Sequence, residues 1–236
     1  MLRALLLVSV LLSGARWLSG AAAPWTDRVL VSEIRKLGDL DPQVRREARR
    51  ALMQLARSDL PTLRRAVEMS GPLSPEQAVA LEDIVIHVYV SGVDLPRQPW
   101  GFLGVELAMP GFMPDGQMVE EEAGAVILSR MPGFAAYEAL CDGDLVVGIE
   151  QVEELPVRNG ADLRAVISRF RAGDRITLLV VRGGQIERVP VQLSARPAAV
   201  DQGPLLEALG TFVESAQRYF DANFVPVIRG ARATRD

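Results

Sequence analysis

The stretch Trp100-Gly101-Phe102-Leu103-Gly104-Val105 marks where the chain changes character. Before it, apolar residues recur every three or four positions; after it the period becomes two, the spacing of half-buried strands. Runs rich in β-branched residues at 102–107, 124–128, 145–149, 175–181 and 185–193 read as strands, and Gly183-Gly184 closes a tight hairpin between the last two. Two helices fall between them. One is short, at 134–140; the other, at 162–170, carries Leu163, Val166, Ile167 and Phe170 on one face. Five strands and two helices in about ninety-five residues predict a small, partly open barrel. The chain as a whole is therefore expected to be α+β.

The order of motifs after the opening hexapeptide is more specific than any of them alone. Leu103-Gly104-Val105 is a Φ-Gly-Φ element at the head of a strand. A strand at 125–130 follows, then Pro132-Gly133-Phe134-Ala135-Ala136, then Ala139-Leu140-Cys141-Asp142-Gly143-Asp144-Leu145-Val146-Val147-Gly148-Ile149, a helix, Arg171-Ala172-Gly173-Asp174 and the Gly-Gly hairpin. This succession, over 99–196, resembles the PDZ domains of bacterial HtrA-type and carboxy-terminal processing proteases. The departures are Cys141-Asp142 before Gly-Asp, Tyr137-Glu138 where small residues are common, and Glu153-Glu154 where Asn-Gly usually turns; the last bears on local loop shape.

The resemblance implies that successive backbone N–H groups around Gly104 form a concave nest for a peptide's terminal carboxylate, with the peptide added as a strand beside 103–107. It implies a peptide-binding set of Phe102, Leu103, Gly104, Val105, Leu163, Val166 and Ile167. The apolar members also read as ordinary core residues, because one helix face must serve both core and groove. Helical spacing leaves open which of Val166 and Ile167 touches ligand. The fifteen-residue stretch 109–123, with three Met and one Phe, reads either as an adaptable contact loop or as a variable insertion.

Residues 24–92 are expected to form a helical module. Leu30, Ile34 and Leu37 share a face; Asp41 caps a second helix with Pro42 at its first position; Val44, Ala48, Leu52 and Leu55 line that helix's apolar side, opposite a solvated run of Arg45, Arg46, Arg49 and Arg50. A third helix starts near Asp59 and Pro61, and Ser74, Pro75 and Gln77 announce a fourth. The run 40–55 resembles one HEAT repeat. Ile84-Val85-Ile86-His87-Val88-Tyr89-Val90 is β-branched enough to be a strand instead, and His87 inside it reads as a satisfied core or groove residue. Gly and two Pro at 91–100 mark a linker, placed at 93–98. After 196, a last amphipathic helix is expected over 201–229, with Leu205, Leu209, Phe212, Ala216 and Phe220 on its apolar face and a frayed tail, in a C-terminal segment of 197–236.

Residues 1–23 read as a secretory signal, with Arg3, an apolar core at 5–12 and small residues at 19–23. Cleavage is expected after Ala21 or Ala22, giving a protein of the periplasm, envelope or exterior with no remaining membrane span; an uncleaved anchor is the alternative. Twenty-five of the 26 basic residues are Arg, yet the net charge is −4, which leaves no cationic excess for nucleic acid. One Cys and one His exclude a disulfide framework and a Cys/His zinc site; Cys141, between Leu140 and Asp142, is expected to be a small buried side chain.

No catalytic arrangement suggests itself. His87 is the sole His, no Gly-x-Ser-x-Gly occurs, and Lys36 has no Ser partner. The expected function is a non-catalytic adaptor or regulator, without cofactor or metal, whose partner is a C-terminal peptide or protein. A scaffold acting through the helical module, or a regulatory subunit of a separate HtrA-type protease, is the alternative, and oligomeric state stays open. Charge is split along the β-rich part: eleven acidic residues against Arg130 alone from 106 to 154, then eight Arg against Asp162, Asp174 and Glu187 from 155 to 196. Part of this must be internal pairing; Arg158, Arg164 and Arg169, on or before the groove helix, are expected to favour acidic residues upstream of a bound C-terminus.

Overall fold

Four helices open the fold: α1 (Asp27–Lys36), α2 (Pro42–Met53), α3 (Leu60–Ser70) and α4 (Pro75–Ser91). The computed structural model describes residues 25–94, 96–108, 124–198 and 205–233, so the signal-like segment and the insertion at 109–123 lie outside the described residues. Caps set the helix starts. The Asp41 carboxylate accepts from Gln43 N–H at 2.8 Å, and Ser74 and Gln77 cap each other reciprocally at the head of α4. Gln77 also donates to the Ile34 carbonyl at 3.0 Å, adding to the bond that this group receives from Leu37 N–H at the end of α1.

The run 84–90 is helix, not strand. It forms the second half of α4, in which Leu81, Ile84, Val85, His87, Val88 and Val90 are all buried. A helix enclosed on most sides loses its polar stripe, and burial outweighs the few tenths of a kcal/mol that each β-branched residue costs in a helix. The Arg face of α2 is not wholly solvated either. Arg49 is half-buried and pairs with Asp83 of α4.

Five antiparallel strands follow in the order β2-β3-β4-β5-β6: β2 (Val105–Leu107), β3 (Ala125–Arg130), β4 (Leu145–Ile149), β5 (Arg175–Arg182) and β6 (Gln185–Gln192). Two further strands, β1 (Arg97–Phe102) and β7 (Ser194–Pro197), pair separately, Arg97 opposite Pro197. The expected strand 102–107 is thus two strands broken at Leu103-Gly104, and β1 begins inside the stretch read as linker. Helices α5 (Ala136–Ala139) and α6 (Gly160–Ile167) lie within this part, whose core gathers Leu103, Ile127, Val146, Leu163 and Leu178.

Asp144, 3% exposed, anchors the turn before β4. Its carboxylate accepts from Cys141 N–H at 2.7 Å and receives Arg182 in a two-pronged pair at 2.9 and 2.7 Å. The same turn puts the Cys141 side chain at the surface, contrary to its expected burial, while Leu140 beside it takes the interior position.

The chain ends in two helices rather than one, α7 (Leu205–Asn223) and α8 (Val225–Ala233). They meet at Phe224, which is fully buried and stacks on Phe220 at 5.7 Å, with Pro226 in the first turn of α8. Both pack on the helical module, α7 along α4 and α8 against α3. Leu209, Ala216 and Phe220 are buried, as the apolar face requires. Among the described residues, no helix is long and apolar enough to cross a membrane.

Tyr137 joins the helical and β-rich parts. Its hydroxyl donates to Asp83, its ring stacks on His87 at 5.2 Å, and the guanidinium groups of Arg130 and Arg49 lie 5.1 and 5.8 Å from the ring centre. Burial, followed by the hydrogen bond to Asp83, pushes its phenol well above the ordinary tyrosine range. The native state therefore holds this proton after the unfolded chain has released it. The resulting stability is complete below about pH 10 and drains as pH rises further. Urea unfolding between about pH 9 and about pH 11 should show stability falling with pH, and Tyr137→Phe should flatten that slope; an identical slope in the variant would refute the assignment.

Candidate functional site

A groove of about 590 Å³ lies between β2 and α6, lined by Trp100, Phe102 to Val105, Leu107, Leu163, Arg164 and Ile167 among others. Among the described strands, β2 is an edge strand with β3 on one side only; its other edge faces the groove. The helix runs opposite to the strand. Gly160 at the head of α6 sits against the Leu107 side chain, while Gly101 N–H donates to Phe170 O at 2.9 Å just past the helix end.

The groove closes at Leu103-Gly104. Leu103 O accepts from Ala136 N–H at 2.9 Å and Gly104 O from Met131 N–H at 2.8 Å. A trans peptide aims its N–H opposite its carbonyl, so the N–H groups of Gly104 and Val105 point away from residues 131–136, toward the groove. The Gly104 N–H has no backbone acceptor among the described residues. Gly104 has φ +75°, and a Cβ there would lie 2.2 Å from the Phe134 Cβ. The close approach that demands glycine is thus to Phe134, which meets Phe102 edge-on at 5.2 Å.

Six of the seven residues expected to bind peptide line the groove together: Phe102, Leu103, Gly104, Val105, Leu163 and Ile167. Val166 does not; it is 5% exposed and belongs to the core. Leu163 and Ile167 are one turn apart on the same face, whereas Val166 is rotated by about 100° from Ile167, which settles which of the pair is exposed to the groove. Leu163 and Ile167 are also core members, so that face serves both roles.

Of the three arginines expected to set charge preference, only Arg164 lines the groove. Arg158 is paired with Asp162 at 2.9 Å, and its side-chain and backbone hydrogen bonds hold that carboxyl below the usual carboxylate range. Arg169 lies outside the lining. Arg182 is engaged by Asp144 and Glu187, and Arg188 by Glu150, so two of these pairs cross the charge split. Arg196 and Gln98 also line the groove and were not anticipated. They reach it through the pairing of β7 with β1, where they stand opposite each other; a four-residue strand leaves no alternation to read. Among the described residues, no Asp or Glu lines the groove.

Trp100 stands at the mouth, 43% exposed, with Arg171 stacked 4.6 Å from its ring. His87 is distant from this lining and satisfied: Nδ1 accepts from Gly133 N–H at 3.1 Å and Nε2 lies 3.4 Å from Glu138. Among the described residues, no three His, Cys, Asp or Glu side chains gather as a metal site.

No family model and no curated protein matches the sequence. Among solved structures, about half of the chain is similar to the HtrA-type protease AlgW. The match to a variant of it with decapeptide has 26% identity and a TM-score of 0.34 over 51% of this chain and 35% of that one. AlgW with decapeptide gives 26% and 0.35 over 50% and 35%, and AlgW with tripeptide 24% and 0.34 over 50% and 38%. The chain spans little more than a third of the length of these solved chains.

Substituting Gly104→Ala should both strain the backbone and drive the new methyl into Phe134, lowering stability by more than the ~1–2 kcal/mol of a left-handed alanine alone. Gly143→Ala, at φ +88° with open space around it, supplies the strain without the clash. Denaturant midpoints should fall further for Gly104→Ala; equal losses would show that Phe134 does not set the constraint.

Proposed function

We propose that the groove binds the C-terminal end of a peptide or protein, in the manner of a PDZ domain, and that the chain is an exported, non-catalytic adaptor or regulator. The observation that carries this reading is the conjunction of the groove-facing N–H groups of Gly104 and Val105 with an edge of β2 that no described strand pairs. A terminal carboxylate would take the N–H pair, and the residues before it would extend the sheet antiparallel to β2. Phe102, Leu103, Val105, Leu163 and Ile167 would enclose an apolar last side chain. The resemblance of 99–196 to PDZ domains supports the same assignment, and the signal-like pattern of 1–23 supports export.

Arg164 gives the groove a preference along its length. It precedes Ile167 by three residues, about 4.5 Å along the helix, while a strand advances about 3.3 Å per residue. Arg164 therefore stands beside ligand residues about one to two positions before the last. An acid there would be favoured, chiefly through faster association at low salt.

In the chain cleaved after Ala21 or Ala22, which lacks Trp17, Trp100 reports binding because Trp25 packs on the helical core instead. A free peptide with an apolar last residue should change Trp emission, and amidating its terminus should weaken binding by about 1.5–3 kcal/mol, the worth of a charge-assisted hydrogen bond. Replacing an upstream Asp by Lys should weaken it further at low salt, an effect that Arg164→Glu reverses. Equal affinity for acid and amide would overturn the assignment of the N–H pair.

A further inference from the structure

One short segment, residues 131–137, touches both the groove and the helical module. Toward the groove, Met131 and Ala136 N–H groups hold the carbonyls of Gly104 and Leu103, and Phe134 fills the space against Gly104. Toward the module, Gly133 N–H donates to His87 Nδ1, and the Tyr137 hydroxyl donates to Asp83, both acceptors lying on α4. Phe134 also belongs to a buried cluster with Val90 of α4 and with Leu209 and Ala216 of α7. Gly133 itself is pressed on the end of α4, where a Cβ would lie 2.9 Å from the Val90 side chain.

The alternation is tight. Residues 131, 134 and 136 hold the binding loop, and residues 133, 134 and 137 hold the module. A shift of α4 against the sheet must move the segment, and the segment cannot move without releasing the carbonyls that aim the Gly104 and Val105 N–H groups at the groove. Neither Asp83 nor His87 lines the groove.

We propose that the helical module positions the binding loop: its docking through Asp83 and His87 is energetically coupled to occupancy of the groove. The coupling is reciprocal, so a ligand in the groove tightens the docking as much as docking tightens the ligand. Asp83 and His87 act as positioning residues, through residues 131–137. This inference rests on the groove being a peptide site.

The test uses the full chain and a free-acid peptide with an apolar last residue. Affinity is read from Trp100 emission, and docking from amide exchange at Gly133, whose N–H faces His87 rather than the groove. Asp83→Asn and Tyr137→Phe should each weaken peptide binding about 5- to 20-fold, within the usual range of coupling between sites. Saturating peptide should slow Gly133 exchange in the wild type and do so much less in the variants. Tyr137→Phe keeps the ring and its stack on His87, so it remains informative if Asp83→Asn folds poorly. Leu63→Ala, in the α3 core and in neither α4 nor residues 131–137, should lower the unfolding midpoint yet leave affinity unchanged under native conditions. Wild-type binding with variant affinities within about twofold of it would overturn the coupling alone; a wild type that binds no peptide would overturn the reading of the groove, and the coupling with it.

Discussion

Everything at the groove depends on how closely Gly104 approaches Phe134. The two are thirty residues apart in sequence, yet there is no room between them for a methyl group. Interiors packed this densely transmit displacement rather than absorb it. Because Phe134 is simultaneously wedged among Val90, Leu209 and Ala216, the loop is braced from behind by helices at both ends of the chain. Glycine takes the left-handed turn at Gly104 without backbone strain, and it is this turn that separates β1 from β2 and leaves an edge strand facing α6.

Electrostatics reinforces the same division of labour. Two pairs join the acidic first half of the β-rich part to its basic second half, Asp144 with Arg182 and Glu150 with Arg188, the former the more buried. A lone carboxylate in that position would carry a large desolvation cost; with two guanidinium contacts and a backbone N–H it is satisfied. Such pairs fix the turn before β4 more than they add net stability. Arg164 and Arg196 both line the groove, and no Asp or Glu is among its described lining residues.

Much of this was legible in the amino-acid order. Period-two runs located the five-stranded sheet, the capping signals at Asp41 and Ser74 located helix starts, and Leu103-Gly104-Val105 located the end of the groove. The misreadings share a physical cause: each involves a partner distant in sequence. Ile84 to Val90 has the composition of a strand and becomes helix because other helices enclose it. Arg49 sits on a polar face and is drawn inward by Asp83. Strand β7 exists only by pairing with β1. Tyr137-Glu138, which departs from the PDZ pattern, bears on something other than loop shape: the phenol hydrogen-bonds to Asp83, and Glu138 meets Gln54 and His87. Those positions serve a neighbour that a lone domain would lack. Val166 and Ile167 were separable by angle only once the axis of α6 was known.

The pairing of β1 with β7 also has a consequence for how the chain is assembled. Helices α1 to α4 and helices α7 and α8 form one bundle, although more than a hundred residues separate the end of α4 from the start of α7 (roughly, for the purpose of loop closure). Bringing such distant segments together directly carries the entropy of a long loop. Once β1 and β7 are joined, the effective connection shrinks to the few residues outside the two strands, about three halvings of length, or roughly 2 kcal/mol of closure entropy. The β-rich part is thereby an insertion whose pairing of β1 with β7 brings the last two helices back beside the bundle.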